Sequence, residues 1–530
     1  MAGELDTYTH QTLPSPNSIR IMNIQPGSGN DILHYTIKEL SLHEAEGKYE
    51  GVSYVWGLND PTVNSICDGK ELRITPNLND VLQGLRLRHE PRSVWVDAIC
   101  INQQDHVEKN DQVRKMGEIF SKAKRVLCWL GTDNEGIAED CFKLIVETKA
   151  ALAREWHQDW GINNIVNDLR LPSLSRDQQR WEKVRRLFGL PWFERTWVVQ
   201  ESGLARECCL LWGRHELQIH EVLSVATWLS YSMHAPISKK GSRIGKTFSD
   251  VFADIMLTFD NHPTWRDNVV SGRTLDDLRP RKKQLYVDLL FCARSLKATD
   301  QRDIIYSSLG SPLAYYDSGE IMVAPDYDEP WTCLQSRVAR ALLRNPREAP
   351  YVLPLVIHDT EEVFNNNDTP SWAPRWKTFK DCDPCPIPLT CTYEYRQKAY
   401  NASRGTPRFK PILLSRSTLS LVGWKFDTLA WTSPHLKFVE LQCDIDNWGP
   451  GLREGGVAPI EAIWQKLVDA IKEPPDVLVE LLSLTLARGR PISESYVSDF
   501  LAYCEKIRTK LGTKTREIGT DASHLQHKTE

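Results

Sequence analysis

Val94-Trp95-Val96-Asp97-Ala98-Ile99-Cys100-Ile101-Asn102-Gln103-Gln104-Asp105 is the stretch whose reading decides the fold. Its first half is a near-continuous apolar run, Ser93 to Ile101, interrupted by Asp97. A strand apolar on both faces belongs in a parallel sheet covered by helices. The run then gives way to polar residues, and Asp105 with Glu108 three positions on resembles a capping box that opens a helix. Val113, Met116, Phe120 and Ala123 share one face of that helix. Lys122, Lys124 and Arg125 fall at its end, where cations suit the helix dipole. Val126 to Leu130 is a further apolar strand, closed by Gly131.

Upstream, Gly51-Val52-Ser53-Tyr54-Val55-Trp56-Gly57 reads as a buried strand running into a loop. Pro76 to Leu87 reads as a helix, with Leu78, Val81, Leu82 and Leu85 at helical spacing and Thr75 as its cap. The order strand, helix, strand, helix, strand predicts crossover units and an open parallel sheet. Before it, residues 19 to 57 read as strands and turns, with a turn cluster at Pro26 to Asn30. Downstream, residues 132 to 180 form a largely polar, partly helical insert. Trp197 to Glu201 enters another helix, and Cys208 to Trp212 is a short strand.

With 530 residues the chain exceeds what one core usually holds, so two to four domains are expected. A net charge of −5 supplies no overall field for nucleic acid or anionic membrane, and no nucleic acid is expected as a partner. No apolar run approaches the roughly 20 residues of a membrane helix. Met1 to Ser18 is polar and lacks the pattern of a secretory signal, so the expected location is the cytosol, or the nucleus if carried there. The 13 cysteines, scattered through a long chain, read as reduced and mostly buried thiols.

The common catalytic signatures are missing. Pro26 to Asn30 is followed by no Gly-Lys-Ser/Thr, and no G-x-G-x-x-G, H-E-x-x-H or G-x-S-x-G occurs. Cys382-x-x-Cys385 with Cys391 has zinc-like spacing but no nearby fourth ligand, so it reads as a loop of thiols and no metal is expected. Lys239, Lys240, Arg243 and Lys246 read as a solvated loop.

Three blocks stand apart from these. They are Tyr49 to Gly57, the stretch Val94 to Asp105 continuing through Gln112-Val113 and Met116 to Trp129-Leu130-Gly131, and Pro191-Trp192-Phe193-Glu194-Arg195-Thr196-Trp197-Val198-Val199-Gln200-Glu201. Together, in this order, they resemble the fungal heterokaryon-incompatibility (HET) domain family over roughly residues 19 to 213. Asp300-Gln301-Arg302-Asp303-Ile304-Ile305-Tyr306-Ser307-Ser308-Leu309-Gly310 resembles a block often found after HET domains, with Gln301 where proline is usual. Pro325-Asp326-Tyr327 and Ser371 to Trp376 also fit such regions.

The resemblance implies a role in self/non-self recognition and programmed cell death, a fungal form of innate immunity. Self-assembly into homo-oligomers on activation and contacts with other HET-domain or incompatibility proteins are implied with it, and no cofactor is required. HET domains are also similar to Toll/interleukin-receptor (TIR) domains. That implies a flavodoxin-like parallel sheet flanked by helices in the N-terminal half; the C-terminal region reads from its own sequence as mainly helical α+β, with strands at 411–424 and helices over 457–508. Some TIR domains cleave NAD with a glutamate that follows a tryptophan, and Trp197 to Glu201 matches that shape with Val198 in place of cysteine. By this resemblance Glu201 is the catalytic carboxylate of an NAD glycohydrolase and NAD is its substrate. Trp56, Gly57, Asp97, Asn102, Gln103, Arg195 and Trp197 would line the binding rim. The alternative reading makes Trp56, Trp95 and Trp197 core aromatics, Asp97 a cap for loop amides, and Arg195 a partner of Glu194 or Asp97. The expected divisions are a disordered 1–18, the HET domain at 19–215, accessory regions at 216–400 and 401–508, and a disordered tail at 509–530.

Overall fold

The computed structural model describes residues 5–29, 31–58, 60–155, 177–231, 285–293, 296–356, 369–376, 412–415, 418–420 and 469. The chain forms two compact units. The first is 1–379 with 387–392 and 409–421, and the second is 380–386, 393–408 and 422–530. All that follows concerns the first. The loop of Lys239, Lys240, Arg243 and Lys246, the thiols Cys382, Cys385 and Cys391, and the tail at 509–530 lie outside the described residues, as does all of 457–508 except Asp469.

Among the described residues nine strands form one sheet. They are β1 Ser18–Ile24, β2 His34–Ser41, β3 Glu50–Ser53, β4 Val63–Cys67, β5 Lys70–Ile74, β6 Arg92–Trp95, β7 Val126–Gly131, β8 Cys208–Trp212 and β9 His215–Gln218, in the order β5-β4-β2-β1-β6-β3-β7-β8-β9. The α/β class expected from the sequence holds. The sheet is mixed rather than wholly parallel: β6, β3, β7 and β8 run parallel to one another, as do β2 and β4, whereas β1 is antiparallel to both β2 and β6 and the hairpins β4–β5 and β8–β9 close the edges. The four apolar runs thus occupy the parallel centre, where both faces are covered.

The helices comprise α1 Leu42–Ala45, α2 Pro76–Leu85, α3 Asp97–Cys100, α4 His106–Lys122, α5 Ala138–Glu155 and α6 Gln178–Phe188. They continue as α7 Val198–Gly203, α8 Ile219–Tyr231, α9 Tyr286–Ala293, α10 Asp303–Tyr306, α11 Trp331–Arg344 and α12 Ala349–Val352. Thr75 caps α2 by accepting from the Leu78 amide, as its position predicts. Asp105 caps α4 by accepting from Val107 and Glu108. The second half of that box is absent, because the Glu108 carboxylate instead receives Arg20 and the Asn102 amide. Arg20 is fully buried and also donates to the Cys100 carbonyl at 3.0 Å, so this ion pair moors the loop between α3 and α4 to β1.

Residues 5–18, expected to be disordered, are held against the sheet. Asp6 and Tyr8 exchange backbone hydrogen bonds with Glu71 of β5, His10 bonds the Ile99 carbonyl, and the Gln11 carbonyl receives Arg20. Their polarity suggested a free terminus, but backbone groups can pair with a sheet edge whatever the side chains. Cys67, Cys100, Cys128, Cys141, Cys208 and Cys209 are free and buried, and Cys333 is free and exposed.

Strand β7 presents alternate residues to opposite faces. Trp129 meets α2, where Gly84 lies so close that an added Cβ would stand 2.3 Å from the indole. Gly84→Ala therefore overpacks this contact at about 1–3 kcal/mol, against about 1 kcal/mol of improved helix propensity. The expected outcome in urea denaturation is a lower midpoint with an unchanged slope. A raised midpoint would show that α2 does not pack on Trp129.

Candidate functional site

Strands β3 and β6 lie side by side and parallel, so their carboxyl ends deliver two loops to one edge of the sheet. Such edges are where open α/β sheets bind ligands. From β3 come Ser53, Tyr54 and the Val55-Trp56-Gly57 loop. From β6 come Val96 and then α3, opened by Asp97. The third block supplies the remaining groups: a 3-10 turn over Pro191–Glu194, then Arg195, then α7, which packs against β3, β7 and α4.

Glu201 is buried, 2% exposed, on the underside of this rim. Its Oε2 accepts from the Ser53 hydroxyl, which itself accepts from the Trp192 indole at 2.8 Å. The Arg195 guanidinium stands 3.8 Å from the same oxygen and donates to the Tyr54 carbonyl. Asp97 accepts from the Trp56 indole at 3.0 and 3.2 Å and from the Ala98 amide at 2.8 Å. Gln103 folds back to donate to the Asp97 carbonyl at 2.9 Å.

Burial raises both carboxyls above their ordinary values, and Arg195 opposes the rise in each. Glu201 is pushed up to about 7, with the neighbouring Asp97 charge adding to the effect of burial and Ser53 opposing it. The buried Glu201 and the partly buried Asp97 thus face one arginine, and Glu201 holds a proton readily near neutral pH. The Tyr54 phenol, buried among the same charges, is pushed well above its ordinary value and stays neutral.

The expected site residues divide. Glu201, Arg195, Asp97, Trp56 and Gln103 come together around the ends of β3 and β6. Gly57 sits beside them, exposed, at φ +70°, with the Asn77 amide packed beneath its Cα. Asn102 belongs to the loop itself: its amide donates to Glu108 at 2.7 Å and its side-chain oxygen accepts from Gln104. Trp197 does not join the cluster: its side chain interacts with the Asp303 carboxyl instead. Arg195 pairs with Glu201 rather than Glu194, which pairs with Lys297 at 2.5 Å. Trp95 is core, fully buried and edge-on to Phe120 at 5.4 Å. Sequence reading missed Ser53 and Trp192 as partners of Glu201, although both lie inside quoted blocks, because no motif of spacing links them.

Residues 49–201 match the family model described as Heterokaryon incompatibility protein (HET). Over that span the chain is similar to a HET domain. The matched span opens at the strand that holds Ser53 and closes on Glu201, so every group of the cluster lies within it. A curated relative, "Heterokaryon incompatibility protein 6, OR allele" of Neurospora crassa, is 26% identical over 429 residues, covering 71% of this chain. The match spans 60% of that relative's own length. No solved structure matches the chain.

Folding moves Glu201 from its ordinary 4.5 to about 7. A carboxyl raised in this way contributes stability that is full below its unfolded value and lost as pH climbs through its folded value. Glu201→Gln removes that dependence. The stability of the variant minus that of the wild type should therefore rise between pH 4 and 8, by roughly 3 kcal/mol. Paired urea titrations across this range check it. A difference independent of pH would place Glu201 in contact with water.

Proposed function

We propose that this HET-domain chain acts in heterokaryon incompatibility: it takes part in self/non-self recognition between fungal cells and drives programmed cell death. In this reading it works in the cytoplasm, by self-assembly of the HET domain and contact with other incompatibility proteins. The observation that carries the reading is the coincidence of the matched span with the structural cluster. Three blocks, distant in sequence, meet at the ends of β3 and β6, and the named relative supports the role. Among the described residues no helix is long and apolar enough to cross a membrane, so contact with a bilayer is not needed to place any of them.

A second reading is favoured by the chemistry of the cluster. A glutamate with a raised pKa beside an arginine and a second carboxyl suits an acid/base or charge-stabilising role. Under this reading the domain is an NAD glycohydrolase of TIR-like mechanism. Glu201 would stabilise the oxocarbenium-like ribosyl centre as nicotinamide leaves. Trp56, Asp97 and Gln103, the outer members of the cluster, would face the substrate. With Glu201 2% exposed and bonded to Ser53, substrate must displace the loops at Trp56 and Asp97 to reach it.

The test expresses the full chain from an inducible promoter in a fungal host, alone and in forced fusion with an incompatible strain. Growth and cellular NAD are followed for the wild type and Glu201→Gln. Cell death with steady NAD in both forms is the expected result for assembly. A fall in NAD that precedes death and vanishes in Glu201→Gln selects the enzyme. Normal growth in every pairing contradicts the incompatibility role itself.

A further inference from the structure

The matched span closes at Glu201, yet the helix that carries Glu201 is held from beyond it. The Thr196 amide donates to the Lys297 carbonyl at 3.0 Å, and the Thr196 hydroxyl bonds the Ser307 hydroxyl at 2.7 Å. The Gly310 amide donates to the Gln200 side-chain oxygen at 2.6 Å. The Trp197 side chain, immediately before α7, interacts with the Asp303 carboxyl and favours its charged form. Asp303 is seated in turn by the Tyr327 hydroxyl at 2.6 Å. Tyr327 is fixed from α4: Asn110 accepts from its amide at 2.9 Å and the Lys109 ammonium lies 4.0 Å from its ring centre. Between α4 and this segment the backbones touch, since a Cβ on Gly117 would stand 2.6 Å from the Gly310 Cα.

These contacts fall on residues 196, 197 and 200, which lie between Arg195 and Glu201 in the chain. We infer that residues 297–327 belong to the Glu201 site, with Asp303 as a positioning residue that, through Trp197, sets where α7 holds Glu201 relative to Arg195 and Ser53. The blocks Asp300 to Gly310 and Pro325 to Tyr327 are then part of one working unit with the HET domain rather than a separate accessory region. The inference concerns how the carboxylate is held and is independent of whether it cleaves a substrate.

The Trp192 indole provides the readout, because its N–H donates to the Ser53 hydroxyl that contacts Glu201. In the full chain labelled with 15N-tryptophan, the Trp192 cross-peak, assigned with Trp192→Phe, should titrate with a midpoint that Glu201→Gln abolishes. Asp303→Ala should move this midpoint by about half a pH unit or more, as the distances among Glu201, Arg195 and Ser53 change. Asp303→Asn, which keeps an acceptor oxygen for Trp197 and Tyr327, should leave it near the wild type. Tyr327→Phe should move it in the same sense as Asp303→Ala by a smaller amount, and decides the matter if Asp303→Ala does not fold. A midpoint unchanged in the folded Asp303→Ala and Tyr327→Phe chains overturns the inference. So does a wild-type cross-peak with no titration that depends on Glu201.

Discussion

Arg195 brings one positive charge to two carboxyls, the buried Glu201 and the partly buried Asp97, and much of the local architecture serves to keep the three together. A carboxylate withdrawn from water without partners costs several kcal/mol. Glu201 is therefore stable in place only because β3 supplies Ser53 and the Tyr54 carbonyl anchors Arg195. Asp97 depends likewise on Trp56 and the start of α3. The parallel pairing of β3 with β6 is what makes this meeting possible, since antiparallel neighbours would send the two loops to opposite edges.

The same arrangement explains why the cluster responds to pH. Its members are too close and too dry for both carboxyls to ionise at no cost, so a proton is shared with the solvent near neutrality. In the assembly reading such a site is a tunable element of stability. In the enzyme reading it is a carboxyl poised for chemistry. Both readings use the same residues, and both require the loops at Trp56 and Asp97 to be held from below. Arg20 and Glu108 do this for the Asp97 side, through the Cys100 carbonyl and the Asn102 amide.

Local pattern made the helices and central strands readable. The spacing of Leu78, Val81, Leu82 and Leu85 marks α2, and Cys208 to Trp212 is β8 to the residue. The hairpin β4–β5 escaped, because Val63 to Ile74 carries polar side chains at an edge and shows no long apolar run. The antiparallel placement of β1 between β2 and β6 was likewise invisible, since direction within a sheet leaves no mark on composition. Glu201, Arg195 and Asp97 were found through block resemblance. Their partners Ser53 and Trp192, and the diversion of Trp197 to Asp303, are long-range contacts that periodicity cannot report.

A double-mutant cycle between Arg195 and Glu201 tests the central claim most directly. Stability at pH 8 would be measured for the wild type, Arg195→Met, Glu201→Gln and the double variant of the full chain. If the guanidinium compensates the buried carboxylate, Arg195→Met alone is strongly destabilising, and the cycle shows a coupling of about 2 kcal/mol or more. Effects that add to within about 0.5 kcal/mol would mean the two side chains do not share a buried charge, and the site as described would not exist.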